Sequence, residues 1–282
     1  MHELSGKTAV ITGAASGIGR ACANRFAQSG MNIVMSDIEA PRLDEAVAEV
    51  AAHGTVVIGH VTDVADGDAV DALADRAFAE MGGVHVLFNN AGVAESPNPD
   101  FISMGAWEWV MNVNFWGVVH GHRAFLPRMI EQGDGHVINT ASMAGHMPGH
   151  SPYTASKWAV VGITHGLYNA MGSDQTGIGV SCLCPGWVRT DIAEAARNQP
   201  ESAAPPALFE PNERQQQTRD FLKAVLESGM DPADVGDLVH DAVVNDTFWI
   251  FTDMDMVQML RDKHASIVEN RNPTLMGGFS LD

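Results

Sequence analysis

Cysteine is scarce in this chain: three in 282 residues, Cys22, Cys182 and Cys184, without the spacing of a disulfide framework or a zinc site. A disulfide-stapled secreted scaffold is thereby excluded, and a reducing compartment is expected. Basic residues are also few, 16 against 35 acidic ones, and the formal charge of -19 repels phosphate backbones and anionic lipid. No nucleic acid and no membrane surface is expected as a partner. Any anionic cofactor must be held locally, by backbone N–H groups and a few placed cations. No apolar run reaches the roughly 18 residues of a membrane span, and residues 1–6 lack the basic and apolar regions of a leader, so a cytoplasmic protein is expected. Neither His120 with His122 nor His146 with His150 has a carboxylate or cysteine at ligand spacing, and no metal is expected. Internal repeats are absent too.

What the chain does have is core material, with 45% apolar and 18% charged residues in a length that one large α/β domain accommodates. Seven short β-branched and apolar runs, at 8–11, 32–36, 55–61, 85–88, 136–140, 179–184 and 248–251, read as strands. Between them lie stretches of helical period such as 42–52 and 69–81. This alternation predicts βαβ units with right-handed crossovers, hence a single α/β domain over 1–282 built on a doubly wound, parallel seven-stranded sheet. The rhythm breaks at 191–217, where Pro200, Pro205, Pro206, Pro211 and three consecutive glutamines make a connection too long for an ordinary loop. It reads as a substrate lid or a surface excursion, the lid being favoured. The end of the chain, 255–282, reads as a helix over 256–269 followed by a glycine-rich tail.

Directly after the first strand comes Thr12-Gly13-Ala14-Ala15-Ser16-Gly17-Ile18-Gly19, opening a helix. Glycines at these positions allow a tight turn, a close backbone approach to a pyrophosphate and helix-on-strand packing, while the helix N-terminus offers N–H donors. This is the position of a Rossmann dinucleotide turn. Asp37 ends the second strand 18 residues past Gly19, where a carboxylate can accept both ribose hydroxyls and repel a 2′-phosphate. Ile38 and Glu39 follow it rather than Arg or Lys, so NAD is expected over NADP. The plainer alternative for Asp37 is a turn or capping aspartate.

With these features the sequence resembles the short-chain dehydrogenase/reductase family, in its single-domain branch. The resemblance covers about residues 5–246 and rests on the glycine turn together with Asp63-Val64, Asn89-Asn90-Ala91-Gly92, Asn114, Ser142, Tyr153-Thr154-Ala155-Ser156-Lys157 and Pro185-Gly186 with Thr190, in the family's order. It implies an enzyme moving a hydride between NAD(H) and a secondary alcohol or ketone. Tyr153 would give or take the proton, Ser142 polarise the carbonyl, Lys157 bond the nicotinamide ribose, and Asn114 hold Lys157 through a water. Gly13, Ser16, Gly17, Ile18, Gly19, Asp37, Asp63, Val64, Asn90, Val188 and Thr190 would join Tyr153 and Lys157 in binding the cofactor. It also implies a homodimer or homotetramer paired through the helices bearing Asn114 and Tyr153. The stretches 177–181 and 192–195, with the long loop, are similar to bacterial members acting on benzylic alcohols of lignin type, pointing to a bulky or aromatic secondary alcohol, with a steroid, a terpene or a cyclic diol as the alternatives.

The tyrosine and lysine can also be read physically. Positions i and i+4 share a helix face, so the ammonium can sit under the phenol. A free phenol titrates near 10, and a neighbouring cation brings it toward the working range of a base. His146 or His150, between Ser142 and Tyr153, touches substrate or is a solvated loop residue; Trp187 is a pocket wall or plain packing. Two rival functions remain, a nucleotide-binding scaffold without turnover and an enoyl reductase. The intact set of four polar residues argues against the first, and the three residues between Tyr153 and Lys157 against the second.

Overall fold

The computed structural model describes residues 1, 3–95, 103–203 and 213–273, with backbone alone at 202, 214 and 215. The strands are β1 (Thr8–Thr12), β2 (Asn32–Asp37), β3 (Val57–Val61), β4 (Val86–Asn89), β5 (Gly135–Thr140), β6 (Ile178–Cys184) and β7 (Trp249–Phe251). They form one parallel sheet in the order β3-β2-β1-β4-β5-β6-β7. Around it lie α1 (Gly17–Gln28), α2 (Ala40–Ala51), α3 (Gly67–Met81), α4 (Met104–Met111), α5 (Gly117–Gln132), α6 (Pro152–Ser173), α7 (Glu213–Glu227), α8 (Pro232–Asn245) and α9 (Met254–Val268). The fold is therefore the doubly wound Rossmann arrangement that the strand and helix periods predict.

Burial on both faces explains why the strands read as continuous apolar runs. Along β1, Ala9 and Ile11 join Cys22, Phe26, Val235 and Val239 beneath α1 and α8, whereas Val10 joins Leu73, Phe125 and Met129 beneath α3 and α5. Phe26 and Phe125 are fully buried, so truncating either to alanine should cost about 3 to 5 kcal/mol. Parallel pairing brings the carboxyl ends of β1 and β4 together, with Ile11 opposite Phe88 in the register. The strand order reverses there, which is where ligands bind in such sheets.

Three expectations need adjustment. The third strand begins at Val57 rather than 55, because it is an edge strand and Val56 is 56% exposed. The last helix starts at Met254, capped by the Asp253 carboxylate accepting from Met256 N at 2.9 Å. The stretch 191–217 is not one irregular loop: Asp191–Asn198 and Glu201–Ala203 are 3-10 turns, and its end is the first turn of α7. The prolines at 205, 206 and 211 and the tail 277–282 lie outside the described residues.

Candidate active site

The glycine turn leaves β1 with Gly13 in the left-handed region, at φ 64. A Cβ there would come within 2.8 Å of Ala91 Cα, and one at Gly19 would collide with the Gly13 carbonyl oxygen. Asn90 fixes the turn, its amide donating to Thr12 O at 3.0 Å and Gly13 O at 3.3 Å while it accepts from Thr140 Oγ1. The backbone-holding role of Asn90 is thus what its side chain performs. Ser16, at the N-cap of α1, makes no capping hydrogen bond, so the helix N-terminus remains open to an anion. This cradle has the shape and donors for a dinucleotide pyrophosphate.

Asp37 lies alongside, its Oδ2 accepting from Ala15 N and its Oδ1 from Glu39 N, each at 3.0 Å. Asp63 accepts from Ala65 N at 2.9 Å, and Val64 is buried where a Cβ on Gly117 would strike it. Val188 is buried and Thr190 half-buried on the opposite side. Gly13, Ser16, Asp37, Asp63, Val64, Asn90, Val188 and Thr190 line one cavity of about 410 Å³, together with Ser142, Tyr153 and Lys157, whereas Gly19 does not.

At the far end of that cavity, Ser142 follows β5 and Tyr153 sits in the first turn of α6. Ser151 caps that helix and Pro152 opens it, which fixes the turn on which the phenol is mounted. Burial pushes the Tyr153 phenol up, a hydrogen bond from Ser142 pulls it down, and the Glu95 carboxylate pushes it up; the net direction is up. Glu95 also accepts from Tyr153 N at 3.2 Å, so it supports the turn it perturbs. Lys157 is 3% exposed, its Nζ 5.6 Å from the tyrosine ring centre and donating to Thr140 O at 2.8 Å. Burial lowers its pKa to about 8, against the nearby thiols of Cys182 and Cys184.

Asn114 lies in a π-helical turn, Asn112–Trp116, between α4 and α5. Its amide donates to Val93 O and to Ser156 Oγ, and its Oδ1 accepts from Val93 N. Both of its side-chain donors are therefore committed, and only oxygen is left to reach Lys157 through a water. Gly92 lies between the two, 3.5 Å from each by the position of an added Cβ.

Over Tyr153 packs an apolar cover of Val93, Trp109, Val110, Val113, Ala195 and Ala203, the last two contributed by the 3-10 turns after Thr190. His146 is buried against Trp249 and Phe251, and burial lowers its pKa to about 4; His150 is exposed. Neither histidine, nor Trp187, is among the described cavity-lining residues. Among the described residues no cluster of three or more histidines, cysteines or acids is disposed to hold a metal, and no helix is long and apolar enough to cross a membrane.

The short chain dehydrogenase family profile matches residues 7–201 of this sequence. The chain belongs to the short-chain dehydrogenase/reductase family. As a family member it is an oxidoreductase, and its relatives are informative. It is 37% identical over 272 residues to 1-deoxy-11-beta-hydroxypentalenate dehydrogenase of Streptomyces avermitilis, covering 95% of this chain and 92% of that one. A family member from Burkholderia phymatum, crystallised in complex with NAD, is 40% identical and superposes with a TM-score of 0.93 over 99% of this chain and 100% of that one. LigO of Sphingobium sp. strain SYK-6, in its apo form, is 32% identical with a TM-score of 0.78, over 96% and 90%.

Sequence reasoning missed Glu95, Trp109 and the charged residues Arg42 and Arg197 that flank the cleft. Trp109 could have been suspected from its neighbours at helical spacing. The others reach the site through bonds to partners 58 to 158 residues away, Glu95 to Tyr153, Arg42 to Asp191 and Arg197 to Glu39, for which one chain offers no signal.

Proposed function

We propose that this dehydrogenase uses NAD to interconvert a secondary alcohol and its ketone, with a bulky or aromatic group on the carbinol carbon. One observation carries the reading: a single cavity has the glycine cradle and Asp37 at one end and Ser142, Tyr153 and Lys157 at the other. The NAD complex of the Burkholderia relative supports the cofactor, and the name of the pentalenate dehydrogenase relative is compatible with a bulky substrate.

The bound dinucleotide would supply the hydride acceptor or donor. The N-terminus of α1, from Ser16 through Gly17, Ile18 and Gly19, would face the pyrophosphate, Asp37 the adenosine ribose, and Asp63, Val64 and Asn90 the adenosine side. Val188 and Thr190 would border the nicotinamide. Ser142 then donates to the substrate oxygen, and the Tyr153 hydroxyl gives that oxygen a proton in reduction or takes one in oxidation. Lys157 stabilises the phenolate and bonds the nicotinamide ribose, while Asn114 steadies the lysine through a water on its free oxygen. The cover of Trp109, Ala195 and Ala203 keeps bulk water from the reacting oxygen, a lid for segment 191–203.

Three buried free thiols accord with a reducing cytoplasm. Exposed Trp116, Trp158 and Tyr168, on and beside α5 and α6, favour pairing of two or four copies, which sedimentation would measure. The deciding experiment is a panel of secondary alcohols with NAD⁺, read as absorbance of the reduced cofactor. No turnover across aliphatic, cyclic and aromatic alcohols and their ketones would return the chain to the nucleotide-binding scaffold.

A further inference from the structure

Two ion-pair sets bridge the mouth of the cleft, and the proton relay needs neither. Arg197, on the 3-10 turn over the site, donates to Glu39 Oε1 from Nε at 2.8 Å and from Nη2 at 2.7 Å. Asn198 adds a third bond to that oxygen at 2.8 Å. Arg42, in the first turn of α2, donates from Nη2 to Asp191 Oδ2 at 2.6 Å, and its Nη1 lies 3.7 Å from Glu39 Oε2. That Nη1 is buried without a hydrogen-bond partner among the described residues. Glu39, Asp191 and Arg197 line the same cavity as Asp37. The region assigned to the adenosine ribose is thus ringed by two guanidinium groups and three carboxylates.

We propose that Glu39 is a specificity-determining residue for the cofactor: by holding Arg197 in its own hydrogen-bonded ion pair, and by sharing with Asp191 the charge of Arg42, it withholds the two cations that would otherwise receive a ribose 2′-phosphate. This rests on the NAD reading and deepens it. A phosphate monoester is recognised best by the bidentate edge of a guanidinium. The Nε and Nη2 edge of Arg197 is turned onto Glu39, and its Nη1 onto the carbonyls of Asp191 and Glu194 at 3.3 and 3.0 Å. One carboxylate stays in excess around the ribose, so a 2′-phosphate meets repulsion from Glu39 as well as from Asp37. Burial pushes the Glu39 carboxyl up, but bonds from Arg197 and Asn198 outweigh it and hold it below the usual range, so it is ionised at neutral pH. These side chains are 20% to 43% exposed, and such pairs contribute little to stability. Their consequence is where they leave charge.

Glu39→Gln and Arg197→Gln separate the idea from its rivals. Both break the same contact and loosen segment 191–203 alike, yet they move the charge around the ribose in opposite directions. Affinities for NADH and NADPH are measured directly, by fluorescence titration without substrate, in the native protein and both variants. The expected result is tighter NADH binding in the native protein, and in Glu39→Gln a gain of about tenfold or more in the NADPH to NADH affinity ratio, the effect of one freed charge-assisted bond. Arg197→Gln should leave the ratio unchanged or lower it, and adding Arg42→Gln to Glu39→Gln should remove part of the gain. An unchanged ratio in Glu39→Gln, or an equal gain in Arg197→Gln, would overturn the role of Glu39. A native protein that already binds NADPH more tightly would overturn the NAD reading itself, a failure visible before any variant is made.

Discussion

Replacing Lys157 with methionine sets stability against function. The ammonium is buried, and its pKa falls from 10.5 to about 8. Each pKa unit is worth about 1.4 kcal/mol, so below pH 8 the ionised lysine costs the fold about 3 kcal/mol. Methionine fills a similar volume without that charge. Its drawback is the Thr140 carbonyl left without a donor, roughly 1 kcal/mol. The variant should therefore be more stable than the native protein at pH 7 by about 2 kcal/mol, while turnover and NAD affinity are both lost. The pH dependence has a definite sign. Between about 8 and 10.5 the unfolded chain binds a proton that the folded chain lacks, so native stability rises through that window and the variant's does not. Urea denaturation of both proteins at neutral pH and near the upper limit reads the difference. A less stable variant at pH 7, or a gap that ignores pH, would refute the reasoning.

Tyr153→Phe should keep cofactor binding, followed by fluorescence, and lower turnover by about 10² to 10⁴; near-native activity would remove the tyrosine from its role. Since the Tyr153 phenol is held above its ordinary pKa, it keeps its proton at neutral pH, and alcohol oxidation should quicken from neutral to alkaline pH. A flat profile, with an isotope effect showing that hydride transfer limits the rate, would contradict this. Ala195→Glu puts a charge against Trp109 and should lift the cover, raising the alcohol KM by about tenfold with NADH affinity nearly unchanged. Equal kinetics in steady-state assays would make segment 191–203 a surface excursion.

The sheet was legible because its strands are buried on both sides: a run such as Thr8 to Ile11 has little alternative to a central parallel strand. The edge was less so, since β3 is half-exposed and its start is set by pairing with β2. The first half of α7 is rich in Glu, Gln and Arg and hid its period, although Phe221, Leu222, Val225 and Leu226 carry a helical spacing. The candidate site was legible as residue types at fixed intervals, and Ser142, Tyr153 and Lys157 converge on one cavity. What surrounds them was not legible. The bond from Arg197 to Glu39 spans 158 residues and that from Arg42 to Asp191 spans 149, and no local pattern encodes such a pair. Asn114 itself was legible, but not its π-helical turn or its paired bonds to Val93, 21 residues away.

The lock on the glycine turn also dictates when it can take shape. Thr12 Oγ1 accepts from the N–H groups of Asn90 and Ala91, and the Asn90 amide reaches back to Thr12 and Gly13. As long as β4 has not paired with β1, Thr12 Oγ1 lacks the N–H groups of Asn90 and Ala91 and the Asn90 amide cannot reach Thr12 and Gly13. The turn is then a glycine-rich segment without its clamp. Pairing of β4 with β1 therefore completes the sheet's middle and the clamp on the glycine turn together, and a ligand held by that turn would stabilise only a chain whose sheet is joined there.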